Sequence, residues 1–171
     1  MRAPALAFYS VAVRASELWV ESYQGEVLGE ALFSWMADHE EDPERRNQLE
    51  VLTLLERSTK QLAEPLFERK ALDRGDTAAT LKTAGELADV VANITWEEFL
   101  ASIQPVADQF LLKYRELVAL AADDLEREIA QLYVAHELAL AAFARRALGK
   151  ESGEPLELIL ALPHVTTATP R

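Results

Sequence analysis

The sequence predicts an all-α chain folded as an antiparallel four-helix bundle, with a long crossover between the second and third helices and a short C-terminal helix. Three observations lead there. Ala, Leu and Glu dominate a chain that is 50% apolar and 27% charged, a composition of good helix formers. Helix-start signals stand at Asp42 with Pro43, at Thr95 with Glu98 and at Asp123 with Glu126. The breaks before the second and fourth helices are short, whereas residues 70–94 separate the second from the third. At 171 residues the chain suits a single domain, 1–171, with its core bundle over about 16–149.

The first helix is expected from about Ser16 to Asp38, ending at the acidic stretch DHEEDPERR. Asp42 can cap free amides and Pro43 fits a first turn, so the second helix runs from Pro43 to about Arg69, with Pro65 loosening its last turns. Residues 70–94 read as a connector carrying one shorter helix in TAATLKTAGELADVVANI. Thr95 and Glu98 form a capping-box pattern that opens the third helix, with a bend or restart at Pro105. The fourth helix follows Asp123 and runs to Gly149, a C-cap residue. Pro155 and Pro163 bracket about two turns in PLELILALPH, and the last residues are expected to be mobile.

Projection at about 100° per residue puts several acids on the wrong face. In the first helix Glu17, Glu21 and Gln24 share one side, and Trp19, Tyr23, Glu26, Glu30 and Phe33 the other. Gly25 and Gly29, one turn apart, allow a neighbouring helix to come close beside Glu26. In the second helix Leu49, Leu52, Glu56, Thr59, Ala63 and Leu66 form the inward stripe, and Glu50, Arg57, Lys60 and Glu64 lie mostly outside it. Glu26 and Glu56 are each about 15 residues from the turn near residue 41, so they come level in an antiparallel pair.

The third helix turns Ile103, Ala107, Phe110, Tyr114, Leu117 and Ala121 inward and Asp108 outward, and offers no carboxylate to the core. In the fourth, His136 and Glu137 flank a stripe of Ile129, Tyr133, Leu140, Phe143 and Ala144, and Glu137 reaches roughly the height of Glu26 and Glu56. Ionised carboxylates at one level of an apolar core cost several kcal/mol each unless a cation, hydrogen-bond donors or a proton compensates them. A metal ion would supply that charge. A structural network is the competing reading, with the acids protonated or paired with Tyr23, Tyr133, Thr59 or His136. Tyr23, Tyr114 and Tyr133 are expected to be core residues with satisfied hydroxyls, and His39 and His164 to be solvated.

YQGEVLGEALF resembles the first metal-binding helix of the ferritin-like superfamily, which includes rubrerythrins, bacterioferritins and carboxylate-bridged di-iron oxidases and hydroxylases. LTLLERSTKQL resembles its second and YVAHELALAAF its fourth, so the similarity spans about residues 16–149. The family pattern carries Glu-x-x-His on the second and fourth helices and one glutamate on each of the others. Here Thr59 follows Glu56, Leu140 follows Glu137, and the third helix lacks its acid. The resemblance therefore implies iron or manganese in an unusual or single-metal arrangement, held by Glu26, Glu56 and Glu137, with Glu30 and His136 as further candidates. It also implies oxygen- or peroxide-dependent oxidation of a small-molecule substrate.

A net charge of −12 repels phosphate backbones and anionic headgroups, which argues against nucleic acid and membrane partners. The absence of cysteine excludes disulfides and thiolate metal sites. No phosphate-binding glycine loop or serine-nucleophile signature is present, so neither a nucleotide nor an organic cofactor is indicated. The run DHEEDPE reads as a solvated turn. Arg14 interrupts the mildly apolar opening, no small-residue cleavage site follows, and no stretch reaches a membrane span, so a cytoplasmic protein is expected. Apolar positions on more than one side of the first and fourth helices leave room for a homodimer face. Two functions follow: a metal-dependent oxidoreductase, or a metal-free bundle serving as a binding or assembly module.

Overall fold

A computed structural model describes the backbone of residues 3–168 and the side chains of residues 10–166. All regular structure among them is helical: α1 (Ala3–His39), α2 (Pro43–Lys70), α3 (Thr77–Val91), α4 (Trp96–Leu120), α5 (Asp124–Ala147), α6 (Glu157–Leu160) and α7 (Pro163–Ala168). α1 lies along α2 and α4 along α5; α1 also meets α4, α2 meets α5, and α3 rests on α1. No helix among the described residues is long and apolar enough to cross a membrane.

The start signals act as side-chain caps. Asp42 Oδ1 accepts from the amides of Glu44 and Arg45, both at 2.9 Å, and Asp123 accepts from that of Glu126 at 3.0 Å. Thr95 and Glu98 close a reciprocal capping box. Gly149, with φ of +67°, follows the end of α5 in the left-handed conformation that glycine adopts without strain.

Three boundaries differ from expectation. α1 begins at Ala3 rather than Ser16, because Pro4 is harmless in a first turn and Arg14 continues the helix by pairing bidentately with Glu116 of α4 (2.9 and 3.0 Å). α2 and α4 continue through Pro65 and Pro105. The tail forms two short helices, α6 against α5 and α7 against α2, with Ile159 and Val165 fully buried. The expectation of mobility at the extreme end falls on residues outside the described range.

The interior holds two apolar clusters. One gathers Phe33, Leu49, Leu52, Leu55, Phe99, Leu100, Ile103, Leu140, Phe143, Ile159 and Val165. The other gathers Leu18, Trp19, Tyr23, Ala63, Leu66, Phe67, Tyr114, Leu117, Ile129 and Tyr133. Between the two clusters α2 contributes the buried polar residues Glu56, Ser58 and Thr59 and α5 contributes His136 and Glu137; with Glu26 of α1 beside them they form a middle polar layer. The segment between α2 and α4 is fastened to α1 by Gln24, whose amide donates to the Arg74 carbonyl and accepts from the Thr80 hydroxyl. Gln24, expected on the wet side, is therefore half-covered.

Candidate metal centre

The polar residues of the middle layer come from three long helices. Glu26 of α1 is 1% exposed, Glu56 of α2 5%, and His136 and Glu137 of α5 1% and 4%. Carboxylate oxygens of Glu26 and Glu56 and a ring nitrogen of His136 all lie within 4.8 Å of one another. His136 Nδ1 is 3.6 Å from Glu26 Oε2, and Nε2 is 3.6 Å from Glu56 Oε1.

Helix α1 comes close enough for this because Gly29 has no side chain. A Cβ there would stand 2.6 Å from Glu56 Cδ and 2.7 Å from Oε2, so the Glu56 carboxylate occupies the space a methyl group would fill. Gly25, one turn earlier, is packed by the Phe110 ring, with a Cβ falling 3.1 Å from its nearest atom.

Around this centre the hydrogen bonds are sparse. The Tyr114 hydroxyl reaches Glu26 Oε1 at 3.4 Å. Glu26 Oε2, Glu137 Oε2 and the Tyr133 hydroxyl are buried with no hydrogen-bond partner among the described residues. Tyr133 thus departs from the expected satisfied hydroxyl, its ring held instead between those of Tyr114 (centroids 4.8 Å apart) and Trp19 (6.0 Å). Tyr23 donates to Glu64, on the flank of α2, and not to the layer.

Burial, reinforced by Glu56 and Glu137, holds the Glu26 carboxyl well above its ordinary value, and the Tyr114 hydroxyl only partly opposes this. Burial pushes Glu137 up to about 8 against the favourable pull of His136. Burial by itself lowers His136, but its acidic neighbours Glu56 and Glu137 outweigh it and the net direction is upward. Protons and an imidazolium therefore compensate the acids when no other cation is present.

Glu30 sits apart from this group. It faces Arg57, at 2.8 Å, and Lys60 on the flank of α2, and these cations draw its carboxyl below its ordinary value despite partial burial. His164, expected in solvent, is a further correction. Docking of α7 on α2 brings its Nε2 to 3.1 Å from Thr59 Oγ1, which also lies 2.9 Å from His136 Nδ1. Burial and His136 push His164 down to about 4. His39 is exposed and stacks on Trp35. Sequence periodicity carries no signal for His164, because its position depends on a tail folding back over helices far away in the chain.

Two glutamates and one histidine form an oxygen and nitrogen donor set that suits first-row divalent ions such as iron and manganese. The unpartnered Glu26 Oε2 and the Gly29 cradle fit such an ion as well. Surface grooves beside Val20 and Leu72, and beside Met36 and Trp96, include no residue of this layer. No protein-family model matches the chain, and neither curated proteins nor solved structures yield a match.

Proposed function

We propose that the chain is a ferritin-like four-helix protein, its two helical hairpins joined by the α3 crossover, whose Glu26, Glu56 and His136 hold one iron or manganese ion for oxidation chemistry. The observation that carries this reading is the convergence of three donor atoms from α1, α2 and α5 within 4.8 Å in a dry interior. Bound there, the ion would supply Lewis acidity or redox chemistry at a position shielded from bulk water. The protein's own part is to fix Glu26 and Glu56 on opposing helices, to orient His136 through Thr59, and to wall the site with Tyr114 and Tyr133.

The helix register also refines the family resemblance. The Glu-x-x-His pattern of the last long helix aligns with Tyr133-x-x-His136, both fully buried, and not with Glu137-x-x-Leu140. On this alignment Tyr133 replaces one acid, Thr59 replaces the histidine that would follow Glu56, and Tyr114 occupies the third long helix beside Glu26. Losing those ligands reduces a two-metal site to one, and this favours a single ion.

A specific observation supports the metal-free alternative. An imidazolium at His136, 3.6 Å from both Glu26 and Glu56, balances part of their charge without any ion. In that reading the fold serves as a binding or assembly module, and exposed Val11, Val13, Leu125 and Leu138 offer apolar positions for a homodimer. Elemental analysis of protein purified without chelator, followed by anaerobic Fe2+ or Mn2+ loading, separates the two. One ion per chain that is lost in a Glu26→Ala, Glu56→Ala double variant supports the metal centre; protein that stays empty after loading supports the module.

A further inference from the structure

We propose that Thr59, backed by His164 from the C-terminal segment, is a positioning residue that fixes the tautomer of His136 so that Nε2, and not Nδ1, faces the ion. The proposal rests on the metal-centre reading above and concerns which atom of the histidine serves it.

Thr59 Oγ1 has three neighbours: the Leu55 carbonyl at 2.9 Å, His136 Nδ1 at 2.9 Å and His164 Nε2 at 3.1 Å. A hydroxyl owns one hydrogen and two acceptor lone pairs. The carbonyl can only accept, so the single hydrogen goes to Leu55. Both ring nitrogens must then donate, which places a hydrogen on His136 Nδ1. In a neutral imidazole the other nitrogen carries the lone pair, and Nε2 is the one that faces Glu56.

Helix geometry makes Thr59 well suited to this. Its β-branched side chain bonds back to the carbonyl one turn earlier, a rotamer that helices favour for threonine. Thr59 is also fully buried, so water does not compete for its lone pairs. His164 occupies the second lone pair and brings the α7 segment into the same network. The tail therefore closes one side of the centre, and its docking and the orientation of His136 share one hydroxyl group.

Valine is nearly isosteric with threonine but has no lone pairs, and serine keeps them. Anaerobic Fe2+ affinity is expected to fall about 10- to 100-fold in Thr59→Val, the range seen when a group that orients a metal-bound histidine is removed. It should stay close to wild type in Thr59→Ser and fall by less in His164→Phe. Zn2+-loaded protein labelled with 15N at histidine gives a readout that general loosening would not move. His136 Nδ1 should resonate as a protonated nitrogen and Nε2 as a metal-bound one, with the pattern mixed or reversed in Thr59→Val. Coordination through Nδ1 in the wild type, or unchanged affinity and tautomer in Thr59→Val, overturns the inference while leaving the metal centre standing. Unchanged affinity in His164→Phe removes His164 from the role. Wild-type protein that takes up neither Fe2+ nor Zn2+ fails at the earlier step and sinks both.

Discussion

Replacing Gly29 by alanine separates metal binding from folding, because the added methyl takes the space of the Glu56 carboxylate. The added methyl would stand 2.6 Å from Cδ, 2.7 Å from Oε2 and 3.0 Å from Cγ of Glu56. Relaxed contacts of this kind lie near 3.5–4.0 Å, so the carboxylate must withdraw by about 1 Å. It sits at the end of a side chain with three torsions and gives way cheaply, while exchanging a helical glycine for alanine contributes up to about 1 kcal/mol in the other direction. Metal–ligand distances tolerate only about 0.2 Å, far less than the displacement. Stability of the metal-free protein in urea is therefore expected within about 1 kcal/mol of wild type, whereas Fe2+ affinity measured anaerobically by calorimetry should fall at least tenfold. Gly25→Ala is the control, since its methyl meets the Phe110 ring at 3.1 Å and not a carboxylate. Undiminished Fe2+ affinity in Gly29→Ala, with folding intact, would refute the assignment of Glu56 as a ligand.

Glu137 is held at about 8 against an ordinary 4.5, and Glu26 and His136 are also raised, so the folded state binds these protons more tightly than the unfolded chain. Their stabilisation is complete below the ordinary values and is lost as pH rises through the folded ones, so denaturation of metal-free protein should show stability falling by several kcal/mol up to about pH 8.5, and Glu137→Gln should flatten that fall. His164, lowered from 6.5 to about 4, acts in the opposite sense, so it offsets part of the fall below 6.5 and leaves the loss above 6.5 unmasked. Glu30→Gln should leave metal stoichiometry and affinity unchanged, because Glu30 belongs to an ion-pair cluster with Arg57 and Lys60; elemental analysis checks this. Gly85 lies exposed inside α3 with open space where a side-chain methyl would stand, so Gly85→Ala should stabilise by about 0.5–1 kcal/mol in thermal or urea unfolding.

What the sequence discloses about the centre is what helix geometry alone decides. All six residues of the α2 stripe, from Leu49 to Leu66, are buried, because α2 keeps one side in solvent while it packs against α1, α5 and α7, and the 3.6 period marks which face is hidden. Glu26 and Glu56 come together because a three-residue turn between α1 and α2 leaves little freedom in the register of the pair. Glu30 looked equivalent to Glu26 because residues four apart share a face. Only the rotation of α2, which presents Arg57 and Lys60 to Glu30 and Glu56 to Glu26, tells them apart. Periodicity puts His136 on a flank because it assumes one hidden stripe, whereas every residue from Ala139 to Ala144 is buried and α5 packs against α4, α2 and α6. A helix covered on several sides has no flank, and periodicity stops discriminating.

The molecule contains its own control for a buried acid with a structural task. Glu126 is 1% exposed, as deeply buried as Glu26, yet it is ion-paired to Lys70, lies near Arg69 and accepts the Ala122 amide at 3.1 Å. It fastens the start of α5 to the end of α2. Glu26 has one 3.4 Å hydrogen bond from Tyr114 and His136 Nδ1 at 3.6 Å, and among the described residues no lysine or arginine pairs with it. An acid placed for stability alone is costly in such surroundings, because a buried charge that is incompletely paired loses more in desolvation than it recovers. The two positions should therefore respond in opposite ways to the same change. Glu126→Gln removes the charge that pairs with Lys70 and should cost about 1–3 kcal/mol in unfolding, with metal binding unchanged. Glu26→Gln removes an under-compensated acid, so the metal-free protein should be at least as stable as wild type at pH 8 while Fe2+ uptake is lost. A Glu26→Gln protein that unfolds more readily than wild type at that pH would show that the acid serves the fold, and the case for a resident ion would lose its energetic basis.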